Sequence, residues 1–200
     1  MPTIGLTGNF GMGKSTVLKM FGSMGARTFD IDVFVHSILQ RPAVIKKIAG
    51  LLGKSVLSKG PKKPSLKKKR IASIIFNDPE KRTAVEKIIH PEVLRLLKQT
   101  EAEILKKDPK AVIVFEVPLL YEAGYEKHFD RIAVVHSNRE NALKRLAQKG
   151  FTRDEALSRM RAQMPISVKM ERSDYSINNN YGVQRTEKRV KKILFNCSSV

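Results

Sequence analysis

The 200-residue chain has one cysteine, no tryptophan and only 19 acidic residues against 38 Lys and Arg. The single cysteine, Cys197, cannot close an internal disulfide, so a reducing, cytoplasmic setting is the expectation. Clustered Cys/His metal sites are excluded for the same reason. No apolar run approaches the roughly 20 residues that span a bilayer, so no membrane association is expected. The start, Met-Pro-Thr-Ile-Gly, has no basic flank and no long apolar stretch, which argues against a secretory signal. Only four tyrosines and no tryptophan are available for stacking bases, although there are nine phenylalanines, and no nucleic-acid fold signature occurs. The Asn-Lys-x-Asp pattern of guanine specificity is also missing.

Hydrophobic residues make up 42% of the chain, enough for a core, and the length fits one domain with an inserted lid or cap. The net charge of +19 attracts polyanions. By itself it does not choose between nucleic acid and a phosphorylated small molecule.

The pattern predicts strands at 3–7, 27–31, 111–115, 131–136 and 175–177. Helices are expected at 14–24 (closed by Gly25), 33–39, 43–52, 67–76, 79–89, 91–107, 138–149, 152–164 and 183–194. Pro42 and the His90-Pro91 pair are read as breaks. Residues 54–70, rich in Lys and Pro and without an acid, read as a basic loop. Strands separated by helices predict a parallel sheet covered on both faces.

The strongest chemical signal is Gly8-Asn-Phe-Gly-Met-Gly13-Lys14-Ser15, a full G-x-x-x-x-G-K-[ST] match between a strand and a helix. Glycines let successive backbone N–H groups turn toward phosphate oxygens, and the following helix adds its positive end. Lys14 can reach the β- and γ-phosphates, and the Ser15 hydroxyl can ligand Mg²⁺. Asp30 and Asp32 close the second strand. Strand alternation would put them on one side, on the sheet edge where α/β proteins bind ligands. One would accept a proton from a hydroxyl; Asp32 serves equally well as a helix N-cap. Glu116 ends a hydrophobic strand, the position from which an acid approaches a metal. His90-Pro91 reads as a cap and turn. Arg145, Arg159 and Arg161 lie in the helical stretch that would form a lid and could clamp phosphates.

These pieces together resemble the dephospho-CoA kinase family. The resemblance runs from about Ile4 to Leu194. It rests on the phosphate loop, Phe29-Asp30-Ile31-Asp32 with His36, Ile75-Phe76-Asn77-Asp78-Pro79, Ile88-Ile89-His90-Pro91, Pro118-Leu119-Leu120-Tyr121-Glu122, Arg145-Leu146, Arg159 with Gln163, and Asp174 to Asn179-Asn180. It implies an α/β, P-loop nucleoside-kinase-like three-layer fold with a parallel sheet, a helical substrate domain and a lid. Its implied boundaries are a core at about 1–35, 108–137 and 170–200, a substrate-binding part at about 36–107, and a lid at about 138–169. The implied reaction moves the γ-phosphate of ATP to the 3′-hydroxyl of dephospho-CoA, giving CoA and ADP.

By position, the resemblance makes Asp32 the catalytic base, with Lys14, Arg145 and Arg159 as further catalytic residues. Gly11, Met12, Gly13, Lys14, Ser15, Thr16 and Asn179 would bind ATP. Asp32, His36, Lys68, Arg70, His90 and Glu122 would bind the acceptor. Mg²⁺ would be held by Ser15 together with ATP, and by Glu116 through water. Lys68 stands where the family often has Arg, Glu116 where Asp is common, and Tyr181 where Gly is usual. The partners implied are ATP and dephospho-CoA, with no specific nucleic acid; a homo-oligomer is compatible with the sequence. Another P-loop small-molecule kinase is the nearest alternative, and a basic nucleic-acid-binding protein is the alternative of another class.

Overall fold

A computed structural model describes residues 2–58 and 64–198. In chain order its elements are β1 (Thr3–Thr7), α1 (Lys14–Ser23), β2 (Arg27–Asp30), α2 (Ile31–Ile38), α3 (Pro42–Leu52), β3 (Leu57–Ser58), β4 (Ser65–Leu66), α4 (Lys68–Asn77), α5 (Pro79–Lys107), β5 (Ile113–Glu116), β6 (Arg131–His136), α6 (Arg139–Ala147), α7 (Arg153–Arg161), α8 (Ile166–Glu171), β7 (Tyr175–Asn178) and α9 (Gly182–Ser198). The chain divides into two compact units, Met1–Asp30 with Ile104–Val200, and Ile31–Glu103.

The first unit is built on a five-stranded parallel sheet in the order β2-β5-β1-β6-β7. Every residue of β1 and β5 is buried, which explains their nearly continuous apolar sequences: a strand covered on both faces has no solvent side to pattern. Ile4 and Leu6 project toward Val17, Phe21, Val190 and Ile193, so α1 and α9 cover that face. Gly5, pointing the other way, lies against Leu120 and Phe129. β1 is central, with β5 on one side and β6 on the other. The chain leaves β1 toward β2 and later returns to fill the opposite side. Its carboxyl end is therefore the point where the strand order reverses, and the phosphate loop opens there.

The second unit is helical, with one short antiparallel pair, β3 with β4. Two expectations are corrected in this part of the chain. β2 stops at Asp30, and Ile31 already begins α2, so Asp30 and Asp32 do not alternate along one strand. The apolar side chains Ile31, Phe34, Val35 and Ile38 recur at helical spacing, and this pattern wins over the alternation of three residues. His90-Pro91 does not break the chain either. A single 29-residue helix, α5, runs through Pro91. Proline removes one backbone donor there, but its ring lies on the exposed face, and Val85, Val93 and Leu97 continue the buried stripe past it.

The basic stretch 54–70 is not a loop throughout. It contains a 3₁₀ turn at Lys54–Val56, both short strands and the start of α4, while residues 59–63 lie outside the described structure. In the first unit, the helix expected at 152–164 ends at Arg161, and a further short helix, α8, follows. Among the described residues no helix is long and apolar enough to cross a membrane.

Candidate active site

The phosphate loop takes its shape from backbone that few residues but glycine adopt. Gly11 and Gly13 have φ of 80° and 91°. A Cβ on Gly11 would lie 2.8 Å from Leu146 Cδ1 and 2.9 Å from the Ala142 carbonyl; one on Gly13 would strike the Asn179 side chain. Gly13 also caps α1 without a side-chain partner, which leaves the first N–H groups of that helix for an anion.

Lys14 opens α1 and folds back over the loop. It is 9% exposed, and its ammonium donates to the Gly8 carbonyl at 2.9 Å and the Asn9 carbonyl at 3.4 Å. Ser15 and Thr16 follow on the exposed side of the first turn. The Ser15 hydroxyl donates to Glu116 Oε1 at 3.3 Å. Glu116, the last residue of β5, is 5% exposed and stands opposite Asp30 in register. Hydroxyl and carboxylate oxygens are the donors a hard divalent cation prefers, so this corner fits one held jointly with nucleotide phosphates and water. Among the described residues no group of three or more His, Cys, Asp or Glu side chains forms a separate metal cluster.

Asn179 braces the loop. Its amide donates to the Met12 carbonyl at 2.9 Å and accepts from the Thr186 hydroxyl at 3.3 Å. Its own carbonyl receives Arg145 Nη2 at 2.6 Å. Arg145 is thereby pinned beside Gly13, with its second nitrogen, Nη1, buried and unpartnered. Arg159 is placed differently. Its guanidinium stacks on Phe10 and Phe151, at 5.2 and 4.9 Å from the ring centroids. Arg161 is exposed at the end of α7.

Glu122 turns inward to two partners. Its Oε1 accepts the Met164 N–H at 2.9 Å and lies 2.8 Å from the ammonium of Lys169. Burial works to raise this carboxyl, but the ammonium and the N–H overcome it and hold it below its ordinary value. Lys169 is wholly buried, and its role was invisible in sequence, where it is one lysine among many. The only available signal is its setting between Val168 and Met170 in a short apolar stretch.

The remaining candidates belong to the second unit. Asp32 is exposed in the first turn of α2, where a carboxylate complements the positive end of the helix. His36, one turn later, meets Lys68, with Nζ and Nδ1 2.7 Å apart. Arg70 is exposed in the first turn of α4, and His90 is half-buried near the middle of α5. The structure thus gathers Gly11, Met12, Gly13, Lys14, Ser15, Glu116, Arg145 and Asn179 around one loop. It separately pairs His36 with Lys68.

A family model described as dephospho-CoA kinase matches residues 2–185. The dephospho-CoA kinase of Carboxydothermus hydrogenoformans is 36% identical over 197 residues, covering 97% of this chain and 93% of the relative. That of Aquifex aeolicus is 34% identical over 194 residues, covering 96% of each. A crystal structure of a Thermus thermophilus protein superposes with a TM-score of 0.84 at 32% identity, covering 97% of this chain and 96% of that one. With a complete phosphate loop, an acid against its serine and similarity along nearly its whole length, the chain belongs to the dephospho-CoA kinase family.

Proposed function

We propose that this protein transfers the γ-phosphate of ATP to the 3′-hydroxyl of dephospho-CoA, releasing CoA and ADP at the last step of coenzyme A synthesis. The observation that carries this reading is the phosphate loop in a family member, with Lys14 drawn over it and Ser15 against Glu116. The loop's N–H groups, the start of α1 and Lys14 hold the phosphates. Ser15 and Glu116 would hold Mg²⁺, which would supply charge neutralisation for the transferring phosphoryl group. Arg145 Nη1, buried beside Gly13 with no protein partner, is the second cation for that charge. Asn179 acts by shaping the loop. We place the reaction in the cytoplasm.

The decisive experiment is an ATP-consumption assay with dephospho-CoA, shikimate, gluconate and nucleoside monophosphates offered singly. Turnover with dephospho-CoA alone is expected. Preference for another acceptor would move the protein to a different kinase activity. Tight, salt-sensitive nucleic-acid binding without turnover would abandon the enzyme reading.

In this reading the second unit receives the acceptor, whose pyrophosphate meets His36, Lys68 and Arg70; His90, on α5, is the unit's other acceptor candidate. Neutralising Lys67, Lys68 and Arg70 together should raise the acceptor KM by about tenfold while kcat changes little, because their contacts are equal in ground and transition states. An unchanged KM would leave these residues as solvated surface only.

The stretch 138–169 is proposed as the lid. In this reading Arg159 secures it on Phe10, and Arg145, held by the Asn179 carbonyl, serves the phosphates. Arg145→Ala should lower kcat by about tenfold or more and raise ATP hydrolysis in the absence of acceptor. Arg159→Ala should do less. If Arg145→Ala left both quantities at wild-type values, the charge assignment would fail.

A further inference from the structure

The tip of the phosphate loop is held from outside its own strand and helix. The Asn9 side-chain amide donates to the Met164 carbonyl at 3.0 Å, and the Phe10 N–H donates to Gln163 Oε1 at 2.8 Å. Both partners sit on the turn between α7 and α8. That turn is fastened in its place by Glu122, which accepts the Met164 N–H on Oε1. The Lys169 ammonium approaches the same oxygen at 2.8 Å, with the lysine side chain 0% exposed and that of Glu122 20% exposed. Among the described residues, Glu122 is the one acid within ion-pair distance of Lys169. Burying a charge is costly unless it is paired, so the close Lys169 contact restricts where the Glu122 carboxylate can sit.

We propose that Lys169 and Glu122 form a positioning pair for ATP: through the Gln163–Met164 turn they fix Asn9 and Phe10, and so the phosphate loop. Neither side chain touches the nucleotide in this account. Glu122, which the sequence resemblance points toward the acceptor, works here on the donor side. The carboxyl's depressed titration range agrees with a permanently charged partner for the ammonium. The chain of contacts lies entirely in the first unit and ends at the loop, so its effect belongs in ATP affinity rather than in acceptor KM. The inference rests on the proposed ATP-binding role of the loop.

The test is calorimetric titration of the protein with ATP and Mg²⁺, with no acceptor present, below the melting temperature of each variant. Lys169→Met should weaken ATP binding about tenfold, or about 1.4 kcal/mol. Asn9→Ala should weaken it comparably. The double variant Lys169→Met/Asn9→Ala should be no weaker than the poorer single variant, because both break one chain of contacts. Multiplying effects would show that Lys169 acts elsewhere and would overturn the proposal. A lower melting temperature with unchanged ATP affinity would overturn it too, leaving a purely structural ion pair. Glu122→Ala/Lys169→Met removes both charges and serves if the single lysine variant does not fold. It should also bind ATP about tenfold more weakly, and wild-type affinity there refutes the proposal. If the wild-type protein itself bound no ATP, the functional reading would fall, a result distinct from any variant effect.

Discussion

Asp32→Asn should lower kcat by about 10²–10⁴-fold, the usual range for a lost general base, while leaving ATP affinity and the fold in place. The acceptor hydroxyl is a poor nucleophile, and its proton must leave during transfer. In a loose transition state, alignment of that hydroxyl matters more than its early deprotonation. In the proposed role the Asp32 carboxylate, in the first turn of α2, would accept the hydroxyl proton. Asparagine preserves the shape but is a far weaker base, and its amide can turn a donor toward the hydroxyl. Asp30 is the internal control. It ends β2 opposite Glu116, in the unit that carries the phosphate loop, whereas Asp32 lies in the unit assigned to the acceptor. Asp30→Asn should therefore cost less in kcat. Steady-state kinetics with dephospho-CoA, beside an ATP titration, measures both variants. Wild-type kcat in Asp32→Asn, or a greater loss in Asp30→Asn, would remove the base role from Asp32.

The second large effect is expected at Lys14. Lys14→Ala should cut kcat/KM for ATP by about 10²–10³-fold, the scale seen when one preorganised charge-stabilising donor is removed. The lysine is 9% exposed and its ammonium is held by the Gly8 and Asn9 carbonyls. The fold should survive, because Lys14 lies at the start of α1 and outside the hydrophobic core cluster; a circular-dichroism melt checks this. Near-normal turnover by a folded Lys14→Ala protein would show that the loop does not carry the transferring phosphates.

Where short-range rules suffice, the sequence was readable. Five strands, the helix after the phosphate loop and the closing glycine at Gly25 all followed from spacing and backbone preference. Three residues from Asp30 to Asp32 were too few to distinguish a period of 2 from one of 3.6, so the boundary between β2 and α2 was misplaced. At His90-Pro91 the local rule predicted a break. The buried stripe through Val85, Val93 and Leu97 outweighed the one lost backbone bond.

By itself the sequence determined the phosphate loop, the parallel α/β architecture and the resemblance to dephospho-CoA kinases, because each is written in residues close together in the chain or in ordered motifs. Only the tertiary structure decided where the outlying side chains sit and what they touch. Arg145 and Arg159 are similar in sequence, yet one is pinned beside Gly13 by the Asn179 carbonyl and the other lies on two phenylalanine rings. Glu122, which the sequence resemblance points toward the acceptor, has Lys169, far along the chain, 2.8 Å from its carboxylate. A charged side chain takes its role from the partner that replaces water around it, and that partner is chosen by long-range packing, which spacing along the chain does not encode.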